Sequence, residues 1–203
     1  MDLVAPGRPG VPQPHGGTAD ASHRRGRGHR RADLRSRYLR DGNIIGWARG
    51  RWEVGPRALG NRSILAASFT EETTGRLNKI KQREGYRPIA PICLEQDAGR
   101  WFGGGVPDPY MLYFSQVESS ELQAVTHVDG TARTQTVDPT ANPEMAELLT
   151  SFGELTGFSV LCHTSLNHSG RGFINRTSDL IAYGELHGLD GYAVNGTFIT
   201  PRR

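Results

Sequence analysis

The chain is poor in cysteine, lysine and long apolar runs, and each shortage excludes something. Two cysteines in 203 residues, Cys93 and Cys162, cannot make a disulfide framework. Both lie in apolar stretches, where a thiol behaves as a small hydrophobe, and the expected compartment is the cytoplasm. No run approaches the ~18 consecutive apolar residues of a membrane span. Residues 1–14 hold no apolar segment of the kind a secretory signal needs, so the four Asn-x-Ser/Thr sequons, at Asn61, Asn167, Asn175 and Asn195, read as chance or as serving other uses. There is no Gly-x-x-x-x-Gly-Lys loop, no Gly-x-Ser-x-Gly elbow and no His-Glu-x-x-His. His127 with Asp129, and His163 with His168, lack companion ligands at metal spacing, so no metal site is expected.

What charge there is lies unevenly. The formal sum is +3, but residues 1–40 carry nine arginines against three aspartates, a net +6. The remaining chain carries 15 basic and 18 acidic side chains, a net −3. The basic pI is thus a property of the N-terminal segment, and nucleic-acid binding by the rest is not indicated. Residues 1–41 are rich in Gly, Pro, Arg and His. After Val11 they hold few large aliphatics to offset the entropy of ordering, so they read as a disordered basic tail. The functional alternative is a phosphate-binding arm built on His23-Arg24-Arg25-Gly26-Arg27. Lysine occurs twice against 22 arginines, a bias of GC-rich coding DNA, and such strings also arise when it is read in an unintended frame.

From residue 42 to 203 the pattern is that of one folded domain. Asn43 to Ala48 reads as a buried strand, and Gly55-Pro56-Arg57-Ala58-Leu59-Gly60-Asn61-Arg62-Ser63 as a loop. Thr70 to Lys79 has helical spacing with Glu71 and Glu72 in the first turn. Strands are expected from Arg87 to Leu94, Tyr110 to Val117, Ala132 to Val137, Phe158 to Cys162 and Tyr192 to Ile199. Asn142-Pro143-Glu144 supplies an N-cap, a proline at N1 and an acid at N2. Met145, Leu148, Leu149 and Phe152 then recur at helical spacing, and Gly157 ends the helix. Thr177-Ser178-Asp179 caps a second helix that runs to His187. Strands interleaved with helices mean an α/β domain, or a sheet with helices on one side.

The chemistry-bearing residues of this domain are cations that do not form a solvated helical face. Arg57 and Arg62 lie in the Gly/Pro loop. Lys81, Arg83 and Arg87 follow within Lys81-Gln82-Arg83-Glu84-Gly85-Tyr86-Arg87-Pro88. Arg133 stands beside strand residues. Thr164-Ser165-Leu166-Asn167-His168-Ser169-Gly170 follows an apolar strand and is dense in hydroxyls. Arginine forks bind phosphate or carboxylate bidentately, and hydroxyls and backbone amides after a strand approach anions closely. Converging, these segments form a pocket for a nucleotide plus a second phosphate. Taken singly, each cation also fits a structural ion pair.

The stretches 55–66, 77–91, 126–137 and 164–167, in that order, resemble the C-terminal domain of the carbamoyltransferase family. That family is typified by nodulation and antibiotic O-carbamoyltransferases. The resemblance spans Asn43 to about Ile199. It implies a twisted mixed β-sheet with flanking helices, similar to the threonylcarbamoyl-adenylate synthase fold. That fold's Lys-x-Arg resembles Lys81-x-Arg83, and its Ser-x-Asn resembles Ser165-x-Asn167.

The activity implied by the resemblance is that of an ATP- and carbamoyl-phosphate-dependent carbamoyltransferase fragment that makes carbamoyl-adenylate. Lys81, Arg83 and Ser165 would be catalytic. Arg57, Arg62, Arg87, Arg133 and Asn167 would bind ATP and substrate, with Arg57 and Arg62 alternatively ordering their loop. Mg²⁺ would accompany ATP on its phosphate oxygens. The acceptor would be a small-molecule hydroxyl. Residues 170–177 resemble the antibiotic-tailoring branch, which points to a natural product. Transfer would need an actin-like-ATPase-type N-terminal domain that residues 1–40 do not resemble. A homodimer is compatible with the family. His163 stands where the family has Asn. The competing readings are a non-catalytic remnant, a basic-tailed nucleic-acid-binding protein, and a free-standing threonylcarbamoyl-adenylate synthase, which the 55–66 stretch disfavours.

Overall fold

The computed structural model describes residues 34–168 and 172–201. In chain order its elements are α1 (34–40), β1 (Ile45–Ala48), β2 (Arg62–Ala67), α2 (Glu71–Ile80), β3 (Ala90–Leu94), α3 (Ala98–Trp101), β4 (Ser115–Gln116), β5 (Thr131–Ala132), β6 (Gln135–Val137), α4 (Pro143–Thr156), β7 (Val160–Ser165), α5 (Thr177–His187), β8 (Gly191–Val194) and β9 (Thr197–Ile199). Seven strands form one mixed sheet in the order β6-β3-β7-β2-β1-β8-β9, and β4 pairs with β5 separately. The inner pairs β1–β2, β2–β7 and β7–β3 are antiparallel, while β1–β8 and β3–β6 are parallel. The domain is mixed α/β, with helices on both faces of the sheet.

Two apolar clusters lie on the two faces, because side chains alternate along each strand. Ile64 and Ala66 of β2 join Leu77 and Ile80 of α2 and Leu180 and Tyr183 of α5. Leu65 and Ala67, the next residues over, join Leu148, Leu149 and Phe152 of α4 and Leu39 of α1. The central strands are thus buried on both sides and read as continuous apolar runs. No described helix is long and apolar enough to cross a membrane.

The helix ends follow the sequence signals in part. Asn142 caps α4, its side-chain oxygen accepting from the Met145 amide at 3.3 Å, with Pro143 inside the start. Gly157 closes it at φ 85°, a backbone region that costs glycine nothing. In α5 the N-cap is Arg176, and no side chain caps the helix; Thr177 and Ser178 lie already inside the first turn. Strand β2 sits where the sequence reads as the end of a loop. The 110–117 segment contributes only Ser115–Gln116, because the Asp108 carboxylate takes the Leu112 and Tyr113 amides at 2.7 and 2.8 Å and ties the chain into a turn.

Residues 1–33 lie outside the described residues, and with them most of the expected tail. Residues 34–40 of that segment form α1. Leu39 is fully buried, Arg35 donates to the Gly196 carbonyl at 2.8 Å, and Ser36 Oγ donates to the Leu148 carbonyl. The surrounding arginines conceal this short amphipathic turn from a reading by composition.

Candidate active site

The site forms at one end of the central strands, where the loop before β2, the C-terminus of α2, the loop after β5 and the end of β7 meet. The β2 loop is fixed from inside. The Glu53 carboxylate accepts from the Leu59, Asn61 and Arg62 amides at 2.7, 2.9 and 3.1 Å, and Trp47 Nε1 donates to the Gly60 carbonyl at 2.9 Å.

Helix α2 ends at Ile80, and Lys81 occupies its C-cap. Gln82 then adopts φ 51°, an uncommon left-handed conformation for a side-chain-bearing residue, and turns the chain toward Arg83. Asn78, 1% exposed, ties down this turn. Its amide donates to the Gly85 and Arg87 carbonyls, both at 2.9 Å, and its oxygen accepts from Arg83 Nε at 2.6 Å.

Lys81 spans to β7. Its ammonium donates to the Ser165 carbonyl at 2.6 Å and to Asn167 Oδ1 at 2.6 Å, with longer contacts to Ser165 Oγ at 3.4 Å and the Asn167 carbonyl at 3.2 Å. Ser165 Oγ also donates to Asn167 Oδ1 at 2.6 Å. Burial, and next the Arg83 charge, lower the ammonium to about 8. A hollow of about 90 Å³ opens beside Ser165, lined by Arg57, Arg83, Arg133 and His163. At roughly 30 Å³ per water it holds about three waters, or one tetrahedral anion in their place. Among the described residues, no carboxylate lines it. Arg133 is held down by burial and by Arg57, and Arg83 by burial and by Arg87, the marks of cations crowded together. The Arg133 Nε is buried, with no hydrogen-bond partner among the described residues.

Six of the eight expected residues therefore converge: Lys81, Arg83, Ser165, Asn167, Arg57 and Arg133. The other two stand elsewhere. Arg62 is 5% exposed and turns inward. Its guanidinium donates to the Arg49 carbonyl at 2.6 Å, the Asn61 carbonyl at 2.8 Å and Asn175 Oδ1 at 3.2 Å, so it orders the loop. Arg87 pairs with Glu84 at 2.8 Å on the surface and faces a wider open groove beside α2. Its charge is felt at Arg83 without its fork reaching the hollow. Asn78 escapes a sequence reading of function; a polar residue on the apolar face of α2 is its one sign. Among the described residues, no three His, Cys, Asp or Glu side chains gather to hold a metal ion.

Residues 36–201 match the family model described as carbamoyltransferase C-terminus. The chain belongs to this carbamoyltransferase family. A 3'-hydroxymethylcephem-O-carbamoyltransferase of Amycolatopsis lactamdurans is 54% identical over 167 residues, covering 82% of this chain and 32% of that protein. Nodulation protein U of Rhizobium fredii is 46% identical over 140 residues, covering 68% of this chain and 24% of that protein. The carbamoyltransferase C-terminal unit here thus spans about a third or less of the length of these relatives. Among solved structures, full-length HypF superposes with a TM-score of 0.56 at 14% identity, over 85% of this chain and 26% of that one. At that identity the likeness concerns the fold.

Proposed function

We propose that this chain is the carbamoyl-activating part of an O-carbamoyltransferase. In the proposed reaction carbamoyl phosphate, ATP and one water give carbamoyl-adenylate, pyrophosphate and inorganic phosphate. Water breaks the bond between the carbamoyl and phosphoryl groups, releasing inorganic phosphate, and an oxygen of the carbamate so formed bonds to the α-phosphorus of ATP while the bond to the pyrophosphate oxygen breaks. The observation that carries the reading is the convergence of Arg57, Arg83 and Arg133 on one hollow, lined by no carboxylate among the described residues, whose Ser165 edge is held by Lys81. Phosphoryl transfer asks a protein mainly for positioning and for fixed donors around developing negative charge, and these side chains supply both.

Arg83 and Arg133 would clamp phosphate oxygens. Ser165 and Asn167, held by Lys81, would orient the carbamoyl group. The described residues offer no protein cage for Mg²⁺, so the nucleotide's phosphates would carry it. The HypF structure of similar fold was solved with phosphate and nucleotide bound, which supports a nucleotide here. The named acceptor of the 54% identical relative supports a natural-product hydroxyl as the final acceptor. Transfer to it is assigned to a further, actin-like-ATPase-type domain, and the supply of ATP and carbamoyl phosphate puts the reaction in the cytoplasm.

The test is pyrophosphate release from ATP with and without carbamoyl phosphate. Release that requires carbamoyl phosphate, and falls at least 100-fold in Lys81→Ala and Arg133→Ala, is expected. No release, or release indifferent to carbamoyl phosphate or to both substitutions, overturns the reading.

A further inference from the structure

Arg57 and Arg62 share the loop before β2, yet the fold uses them in opposite ways. Arg62 is buried and turned onto backbone carbonyls. Arg57 is exposed and lines the small hollow, and among the described residues its guanidinium makes no hydrogen bond or ion pair. A cation left unpaired at the mouth of a pocket has its donors available for an anion.

Glu53 is the acid nearest in sequence that could have neutralised Arg57, and it faces elsewhere. Its carboxylate does not line the hollow. Oε1 accepts from the Leu59 and Asn61 amides at 2.7 and 2.9 Å, and Oε2 accepts from the Arg62 amide at 3.1 Å. Hydrogen bonds from backbone N–H groups to an ionised carboxylate are among the stronger ones. Arg62 acts on the same loop through its carbonyls, and the two charges support each other: burial lowers the Arg62 guanidinium, and the Glu53 charge opposes that. Residues 54–58 therefore form a tip closed at its base, with Ala58 buried beneath it and Arg57 outside. A loop ordered in advance has already lost the conformational freedom that binding would otherwise remove.

We propose that Glu53 is a positioning residue of the anion pocket, which, by holding the Leu59, Asn61 and Arg62 amides, fixes the loop in which Arg57 faces a bound phosphate. The proposal rests on the anion-pocket reading given above. Its sign is opposite to that of charge alone. A carboxylate near an anion site repels the anion, so by Coulomb's law its removal strengthens binding. On the proposal its removal weakens binding, because Arg57 loses its seat.

The test uses the full chain, with inorganic phosphate as the probe and calorimetry as the readout. Glu53→Ala is expected to weaken phosphate about tenfold, as much as Arg57→Ala does. Glu53→Gln, whose carboxamide oxygen still accepts from the Leu59 and Asn61 amides, is expected to stay within about threefold of the unaltered protein. The double variant Glu53→Ala/Arg57→Ala should bind no more weakly than Arg57→Ala alone, whereas Glu53→Ala/Arg83→Ala should multiply the two single losses. Affinity unchanged or raised in Glu53→Ala, alongside affinity lost in Arg133→Ala, overturns the proposal and leaves the pocket itself standing. Losses that multiply between Glu53→Ala and Arg57→Ala overturn it too. In the unaltered protein the Leu59 and Asn61 amides are expected to exchange slowly with deuterium before phosphate is added. Exchange there at the rate of an unstructured chain overturns the proposal whether or not the variants fold. Phosphate binding that is undetectable, or unaffected by Arg133→Ala, removes the pocket and this inference together.

Discussion

Lys81 and Asn167 stand 86 residues apart, and the Lys81 ammonium lies 2.6 Å from the Asn167 carboxamide oxygen. The same ammonium reaches the Ser165 carbonyl at 2.6 Å, so one cation at the end of α2 pins the end of β7. On the proposed anion-binding reading, this arrangement makes the pocket's affinity depend on a proton. Lys81, lowered to about 8, is charged below that pH and neutral above it. Sulfate affinity is therefore expected to fall as pH rises from 7 to 9, over which the charge of sulfate itself is constant. Lys81→Arg, with a guanidinium that stays protonated, is expected to abolish that slope. A flat profile in the unaltered protein, read by calorimetry, would place the pocket's charge elsewhere.

Asn78 never lines the hollow, yet it holds the Arg83 Nε at 2.6 Å and two carbonyls of the following turn. Asn78→Ala leaves those groups to water on an exposed segment, so the stability loss is expected to be modest, about 1–2 kcal/mol. The loss of anion affinity is expected to approach that of Arg83→Ala. The double variant Asn78→Ala/Arg83→Ala should then bind phosphate no more weakly than Arg83→Ala alone, because both changes remove one interaction. Additive losses in calorimetric affinity would separate the two residues.

The legible parts of this fold are those where local chemistry and tertiary packing agree. Helix α4 has its cap, its N1 proline, its apolar stripe and its terminal glycine in the chain itself, and it runs as those signals dictate. Strand β2 has none of this. It begins with Arg62 and Ser63 straight from a Gly/Pro loop and has only the short apolar run Ile64-Leu65-Ala66-Ala67, so its central place comes from pairing with β1 and β7. The pocket shows the same division. Lys81, Arg83, Ser165 and Asn167 stand in short motifs legible through their resemblance to the family's. Arg57, Arg62 and Arg133 are identical guanidiniums, and sequence cannot tell which will spend its donors on backbone carbonyls. Only the fold turns Arg62 inward onto Arg49 and Asn61.

Helix α5 lies so close to β8 that Gly184 has no room for a side chain. A Cβ there would overlap Cε1, Cζ and the phenolic oxygen of Tyr192. That ring is 2% exposed and cannot move aside. Gly184→Ala gains up to ~1 kcal/mol of helix propensity but meets an overpacking cost of roughly 1–3 kcal/mol. The clash is expected to win, lowering Tm by a few degrees in a domain of this size. A calorimetric Tm equal to or above that of the unaltered protein would mean that the helix sits farther from the sheet.

His163 also sets an acid limit on stability. In the folded chain burial holds its imidazole at about 4, while an unfolded histidine titrates near 6.5. Between those values the unfolded chain binds a proton that the folded chain does not. Stability contributed by this residue is thus fully present above about pH 6.5 and is lost as pH falls toward 4. Two and a half units at 1.36 kcal/mol each put the full loss on the order of 3 kcal/mol. His163→Asn, which cannot titrate, is expected to flatten this limb of the stability curve while leaving the effect of the acidic side chains at lower pH. Urea unfolding at pH 7, 6, 5 and 4.5 reads the difference directly. Parallel curves for the two proteins would mean that the ring takes up its proton in the folded state, with Nε2 or Nδ1 already facing water or a carboxylate.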